Sequence, residues 1–283
     1  MSVATLSTLL THAFHRPYAV PAFNVTDLAS VQGVLDAAER TSSPVILQFS
    51  ERVARALGPR TIAAFFRSMT EHLPVPAALH LDHCRDAGLA MEALRCSWNS
   101  VLYDASDDDF EDGLRTTAAL VSTARAHGAD VEGEFERIGR LADGHGAPDD
   151  DSAHDRALEF IRRTGVTCFS PDVGTLHGDY TGPPTIHTRR IARLASASGV
   201  PQVLHGASGI PPETLHGTLE LGVAKVNFST ALKHGHRAAV TAFMAGSGSR
   251  PWDPLRLHQT VRASVSERAE RCIGTVASAG HAC

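Results

Sequence analysis

Lysine is nearly missing from this chain: Lys225 and Lys233 are the only two in 283 residues. There is no basic stripe or Lys/Arg run, and the formal net charge is -5, so a nucleic-acid partner is not expected. No apolar run approaches the roughly 20 residues of a membrane span. The first residues, MSVATLSTLLTHAF, lack a basic segment followed by an apolar core, which argues against a secretory signal and for a short amphipathic helix. Cysteine is sparse, odd in number and without a CxxC (Cys84, Cys96, Cys168, Cys272 and Cys283). That pattern suits reduced thiols in a cytoplasm and excludes a disulfide framework. No GxGxxG follows the first strand-like run, which argues against a doubly wound dinucleotide-binding sheet.

What is present is a rhythm. With 43% hydrophobic residues the chain supports one large core, and a length near 280 suits two ordinary domains or one α/β barrel. Eight short apolar or β-branched runs read as strands: 18–24, 44–49, 75–82, 100–104, 129–135, 166–170, 201–205 and 224–229. Helical periodicity fills the intervals, as in Asp27–Arg40 with Leu28, Val31, Val34, Leu35 and Ala38 on one face. Gly128, Gly165, Gly199 and Gly222 stand where helix C-caps belong. The expectation is an α/β protein: one TIM (β/α)8 barrel over 1–283, with an extra N-terminal helix and a C-terminal helix at 255–275. Segment 139–153, GRLADGHGAPDDDSA, has no periodicity and reads as a mobile active-site loop.

A barrel of this kind places its chemistry at the C-terminal ends of the strands. The strand-like runs here end in or near Asn24, Gln48–Ser50, Asp82–His83, Asp104–Ser106, Glu134, His177–Gly178, His205–Gly209 and Asn227–Thr230. His83, His177 and His205, from the third, sixth and seventh units, form the ligand set of a catalytic zinc site, with Glu134 as a fourth or alternating ligand. Each histidine alone also suits a hydrogen-bonded rim or core position; three at strand ends, one beside Asp82, favour the metal. His80 points the other way from Asp82's neighbours and is at best a supporting residue. Cys84 faces away from His83 and reads as structural. Gly178 and Gly206-Ala207-Ser208-Gly209 offer backbone amides, and Asn227-Phe228-Ser229-Thr230 opens a helix. Together they suggest a phosphate cradle on the seventh and eighth units, though each piece alone also suits a tight turn and an N-cap.

YAVPAFNV (18–25), SPVILQFS (43–50), LHLDHC (79–84), VEGEF (131–135), VGTLHGDY (173–180), VLHGASGIP (203–211) and GVAKVNFSTALK (222–233) occur in this order. In them the chain resembles the short subgroup of the class II, zinc-dependent fructose-bisphosphate and tagatose-bisphosphate aldolases, over nearly its whole length. The resemblance implies one catalytic zinc held by His83, His177 and His205 with Glu134 nearby. It implies Asp82 acting on the C4 hydroxyl and Asn227 orienting the donor fragment. Gly178, Gly206, Ser208, Asn227, Ser229 and Thr230 would hold the dihydroxyacetone phosphate half, with Asn24 at the substrate and Ser50 near its far end. It also implies a small phosphorylated sugar as substrate, a monovalent cation near the phosphate, and a homodimer or homotetramer.

The departures from the family pattern are local. The family's loop glutamate, in a Gly-Gly-x-Glu-Asp type pattern after the fifth strand, aligns with Ala142, which makes Asp143 or another loop acid the candidate substitute. The lysine often found after the His-Gly motif is Thr181. Asp172 puts a charge where small apolar residues are common. A recruited paralogue with a non-standard substrate, a zinc hydrolase or isomerase on the same barrel, and a non-catalytic relative are the competing readings.

Overall fold

The computed structural model describes residues 3–136, 138, 151–180, 182, 184–247 and 252–282. Eight strands close into a parallel barrel in sequence order: β1 (Val20–Asn24), β2 (Val45–Ser50), β3 (Ala77–Cys84), β4 (Ser100–Asp104), β5 (Asp130–Glu134), β6 (Cys168–Phe169), β7 (Gln202–Leu204) and β8 (Val223–Phe228). Eleven helices accompany them among the described residues: α1 (Leu6–Phe14), α2 (Leu28–Thr41), α3 (Glu51–Leu57), α4 (Pro59–Thr70), α5 (Ala87–Arg95), α6 (Phe110–Ala126), α7 (Asp151–Thr164), α8 (Thr188–Ser198), α9 (Pro212–Leu219), α10 (Thr230–Ser247) and α11 (Pro254–Thr275). The TIM barrel expected from the alternation is therefore the observed fold.

Local signals set the element ends. Asp27 caps α2 by accepting the Ser30 amide while the Ser30 side chain bonds back to the cap residue. Asp86 caps α5 by accepting from the Gly88 and Leu89 amides. Gly199 closes α8 in the left-handed region at φ 66°. The expected loop 139–153 needs one correction: Asp151–Ala153 already belong to α7. Residues 139–150, including Ala142 and Asp143, lie outside the described residues, as does Thr181.

Strand alternation sorts the side chains into two populations. Outward-facing Phe23, Leu47, Leu79, Leu81, Val101, Val131, Phe169 and Val226 form the main core with the helix layer. That burial is the principal stabilising term, about 25 cal/mol per Å² of apolar surface removed from water. At the N-terminal end of the barrel, Leu6, Leu9, Leu10 and Ala13 of α1 pack with Val20, Ala22, Ile46, Ala78 and Cys168, so α1 stoppers that mouth with hydrocarbon. On the outside α11 lies along α2, with Arg262 gripping Asp36 through two hydrogen bonds of 2.6 and 2.7 Å. The middle of the interior is polar, and the register explains how: Asn24 pairs beside Gln48, Gln48 beside His80, and Ser50 beside Asp82. Polar side chains of successive strands thus stack into layers that lead up to the C-terminal rim. Among the described residues no helix is long and apolar enough to cross a membrane, and Cys84, Cys96, Cys168 and Cys272 are free thiols.

Candidate active site

The site begins with a buried ionic layer inside the barrel. Lys225 is the one charged residue of β8, and it points inward with no exposed surface. Its Nζ donates to Glu132 Oε2 of β5 at 2.7 Å, and the other oxygen, Oε1, lies 2.8 Å from His205 Nε2. His80 joins from β3, its Nδ1 2.8 Å from Ser100 Oγ and its Nε2 3.5 Å from Glu132. Burial, with Lys225 beside it, holds the His80 imidazole well below its usual pKa. His80 thus shares the face of Asp82, opposite Leu81, and supports the layer beneath the rim. A proton on His205 Nε2, with Glu132 as its acceptor, would leave the Nδ1 lone pair facing upward, the arrangement in which a carboxylate orients a ligating histidine.

Above this layer the rim converges. Strict alternation would send His83 outward. The pairing of β3 with β4 shifts register between Leu81 and Cys84, and His83 takes a positive φ of 47°. This irregularity turns His83 into the cavity beside Asp82 and sends Cys84 into the outer core, where its thiol donates to the Asp86 carbonyl. His83 Nε2 then lies 2.8 Å from His205 Nδ1. His177, from the loop after β6, completes a group whose ligand atoms all lie within 4.8 Å of one another. A second such group joins His83 to Asp104 and Glu134. His83 Nδ1 is 3.4 Å from Glu134 Oε1, whereas the buried Oε2 of Glu134 has no hydrogen-bond partner.

The electrostatics match this geometry. Burial pushes the Glu134 carboxyl up to about 7, against the pull of His83. Burial opposes a charge on His83, but Glu134 and Asp82 outweigh it and raise the imidazole to about 10. Burial, with His83 beside it, keeps His205 well below its usual value. A proton on His83 therefore supplies the positive charge that this acid-lined corner demands. The facing imidazole nitrogens and the orphaned carboxylate oxygen fit a divalent cation, which would displace that proton.

Asp82 is held by a separate set of hydrogen bonds. Its Oδ2 accepts from Asn24 Nδ2 at 2.7 Å, and Asn24 Oδ1 in turn accepts from Gln48 Nε2 at 2.9 Å. Asn227 Nδ2 reaches Oδ1 at a longer 3.3 Å. Burial would raise this carboxyl, but His83, His205 and Lys225, with the Asn24 hydrogen bond, bring it below its usual value, so it rests as a carboxylate. Gly206 has φ 68°, and a Cβ there would stand 2.4 Å from the Leu176 carbonyl, so only glycine lets the loops after β6 and β7 meet. Ser208 Oγ accepts the Ala231 amide of the first turn of α10 at 3.3 Å.

The rim residues border one cavity of about 630 Å³. Of the site residues expected from the sequence, Asn24, Ser50, Asp82, His83, Glu134, His177, Gly178, Gly206, Ser208, Asn227, Ser229 and Thr230 line it; His205 lies directly beneath, and Asp143 is outside the described residues. Sequence reasoning did not single out Glu51, Arg52, Arg85 or Ile138, which also line the cavity. Their one available signal is adjacency: each lies one to four residues past Ser50, His83 or Glu134. Arg85 donates to Asp104 at 2.9 Å and also binds Asp107, so its charge is already answered.

Comparison with known proteins follows the same lines. A family model described as fructose-bisphosphate aldolase class II matches residues 4–281. The fructose-bisphosphate aldolase of Geobacillus stearothermophilus is 34% identical over 263 residues, 91% of each chain. The 6-phospho-5-dehydro-2-deoxy-D-gluconate aldolase of Shouchella clausii is 34% identical over 233 residues, 81% of this chain and 80% of that one. The crystal structure of the YdjI aldolase from Escherichia coli K12 superposes with a TM-score of 0.86 at 32% identity, covering 99% of both chains. Likeness that runs the length of the barrel makes this chain a member of the class II fructose-bisphosphate aldolase family, and so a carbon–carbon lyase.

Proposed function

We propose that the protein is a zinc-dependent aldolase that reversibly cleaves a phosphorylated ketose, of the fructose or tagatose 1,6-bisphosphate kind, into dihydroxyacetone phosphate and an aldehyde. The observation that carries this reading is the meeting of His83, His177 and His205 with the half-unpaired Glu134, immediately beside a fixed Asp82 carboxylate. His83, His177 and His205 hold the metal, with Glu134 as the nearby or alternating ligand. When bound, zinc supplies Lewis-acid stabilisation of negative charge on substrate oxygens.

The chain's own groups do the rest. Asp82, already ionised, takes the C4 hydroxyl proton as the carbon–carbon bond breaks and returns it in condensation. Asn24 fixes its Oδ2, leaving Oδ1, with its longer contact to Asn227, to face the reacting hydroxyl. Asn227, whose buried Oδ1 has no partner, orients the donor half. Gly178, Gly206, Ser208, Ser229 and Thr230 receive the phosphate at the start of α10, where backbone amides favour an anion. Ser50 and Asn24 face the remainder of the substrate. Asp143 is the proposed loop acid that handles the proton on the donor carbon. A monovalent cation near the phosphate, a homodimer or homotetramer and a cytoplasmic location belong to the same reading.

Metal analysis of protein prepared without chelators tests the zinc, with one equivalent per chain expected. A coupled assay for dihydroxyacetone phosphate tests the reaction on a panel of fructose 1,6-bisphosphate, tagatose 1,6-bisphosphate and a deoxy-sugar-acid phosphate. Release from none of them overturns the reading. Donor-carbon proton exchange that survives in Asp143→Asn removes Asp143 from its role.

A further inference from the structure

His177 is held differently from the other two imidazoles of the cluster. His83 belongs to β3 and His205 directly follows β7, so the barrel itself sets them. His177 lies within the connection between β6 and α8, and its place depends on how that connection is tied down. One tie acts on its far side: the Tyr180 hydroxyl accepts the Leu176 amide at 2.8 Å and donates to the Gly206 carbonyl at 3.0 Å.

The second tie lies on the near side and involves three buried charged residues. Glu136, Asp172 and Arg190 are 8%, 1% and 1% exposed. Glu136 stands two residues past Glu134, at the end of β5. One of its oxygens accepts the Asp172 amide at 2.8 Å, and the other accepts the Arg190 guanidinium of α8. The Asp172 carboxylate then accepts the Gly174 amide at 2.9 Å. Gly174 has φ +82°, and a Cβ there would lie 2.4 Å from the Thr185 carbonyl, so the connection folds closely back on itself. The Val173 carbonyl accepts the His187 amide at 2.9 Å, closing the fold just before α8. One carboxylate thus links the end of β5, the start of the His177 segment and the first turn of α8.

A buried Arg–Glu pair is a poor source of net stability, because desolvating two charges offsets their attraction, and an apolar pair of similar volume often serves as well. What such a pair supplies, and an apolar pair does not, is direction: Glu136 reaches a particular backbone amide. We propose that the Glu136–Arg190–Asp172 bridge is a positioning device that fixes the His177 segment against the end of β5, setting His177 and Glu134 relative to each other before metal arrives. The proposal rests on the reading of His83, His177 and His205 as a metal centre. Glu136, committed to Arg190 and the Asp172 amide, does not serve as a proton-transfer group.

The test uses the full-length protein stripped of metal and titrated with Zn²⁺ against a competing chelator. In the double variant Glu136→Leu/Arg190→Met the Zn²⁺ dissociation constant rises about 10- to 100-fold, the range found when groups that orient metal ligands are removed. Its metal-free thermal midpoint stays near that of the wild type, and excess Zn²⁺ restores cleavage. Glu136→Gln, which keeps the shape and removes the charge, weakens Zn²⁺ by about 10-fold and is the deciding variant if the double one does not fold. Wild-type affinity in a folded double variant, or in Glu136→Gln where only that variant folds, overturns the proposal. Failure of the wild type itself to bind Zn²⁺ overturns the metal reading and the bridge with it, and differs from the first case because it appears without any substitution.

Discussion

Glu132 and Glu134 lie two residues apart on β5, both buried and both facing into the barrel, yet they belong to different kinds of region. In the floor, Glu132 has an answer for each oxygen: Lys225 at 2.7 Å and His205 at 2.8 Å. At the rim, Glu134 has His83 at 3.4 Å for one oxygen and no hydrogen bond for the other, with His205 Nδ1 4.0 Å away, and burial pushes its carboxyl up to about 7. A buried polar group without a partner costs free energy, so folded chains seldom keep one. In the floor both oxygens of Glu132 are thus answered within the protein. At the rim the unpaired Oε2 of Glu134 stands beside the three imidazoles of the proposed metal centre.

That contrast is open to experiment. The largest effect falls at the rim: removing metal with a chelator abolishes cleavage while the far-ultraviolet circular dichroism of the barrel is retained. Loss of the fold together with activity would show that rim and floor are not separable. Next, Asp82→Asn lowers kcat/KM by about 100- to 10,000-fold, the range for a positioned proton-transfer group, and leaves Zn²⁺ binding in place. Near-normal turnover in this variant would remove Asp82 as the base. The floor responds in stability instead. Lys225→Met leaves Glu132 buried beside a neutral side chain and costs about 3–5 kcal/mol in urea unfolding of the metal-free protein. A loss of less than about 1 kcal/mol, the scale of a surface pair, would make the floor no different from the outside of the molecule.

The smallest effect lies on that outside. The Asp86 carboxyl is lowered first by its hydrogen bond to Arg55 and then by the amides it caps. A depressed carboxyl adds stability at neutral pH that is lost as the pH falls through the ordinary Asp value of about 3.9 and below. Asp86→Asn keeps a capping oxygen but not the charge. The gap between the two proteins, followed by urea midpoint, therefore closes on acidification. A gap that stays constant with pH would mean that the cap and not the charge makes the difference.

Much of this was legible in the sequence, for reasons that can be named. The outer faces of the strands and the helix stripes must be apolar, so their periods reveal the barrel. Rim residues stand out because polar groups at strand ends interrupt apolar runs, as Asp82 and Asn227 do. Other features depended on packing. The pairing of β6 shrank to Cys168–Phe169 from the longer apolar run 166–170, since only those two residues meet neighbouring strands in ladder register. Lys225 betrays itself as a charge inside an apolar run, but its partner Glu132 lies 93 residues away in sequence. Arg190 sits on an amphipathic helix where an arginine reads as solvent-facing, and nothing local announces that the Glu136 carboxylate takes it inside. The inward turn of His83 is the clearest case. Period-two alternation denies it, and the local register shift that permits it is a property of two strands together.

That register shift has a mechanical consequence. Asp82 and His83 are consecutive residues, and their α-carbons are therefore held about 3.8 Å apart by a single planar peptide unit. The distance between the proposed base and the proposed metal ligand is thus bounded by covalent bonds. When the barrel breathes or α-helices slide, base and ligand move as one body, and drift between them is limited to side-chain rotation.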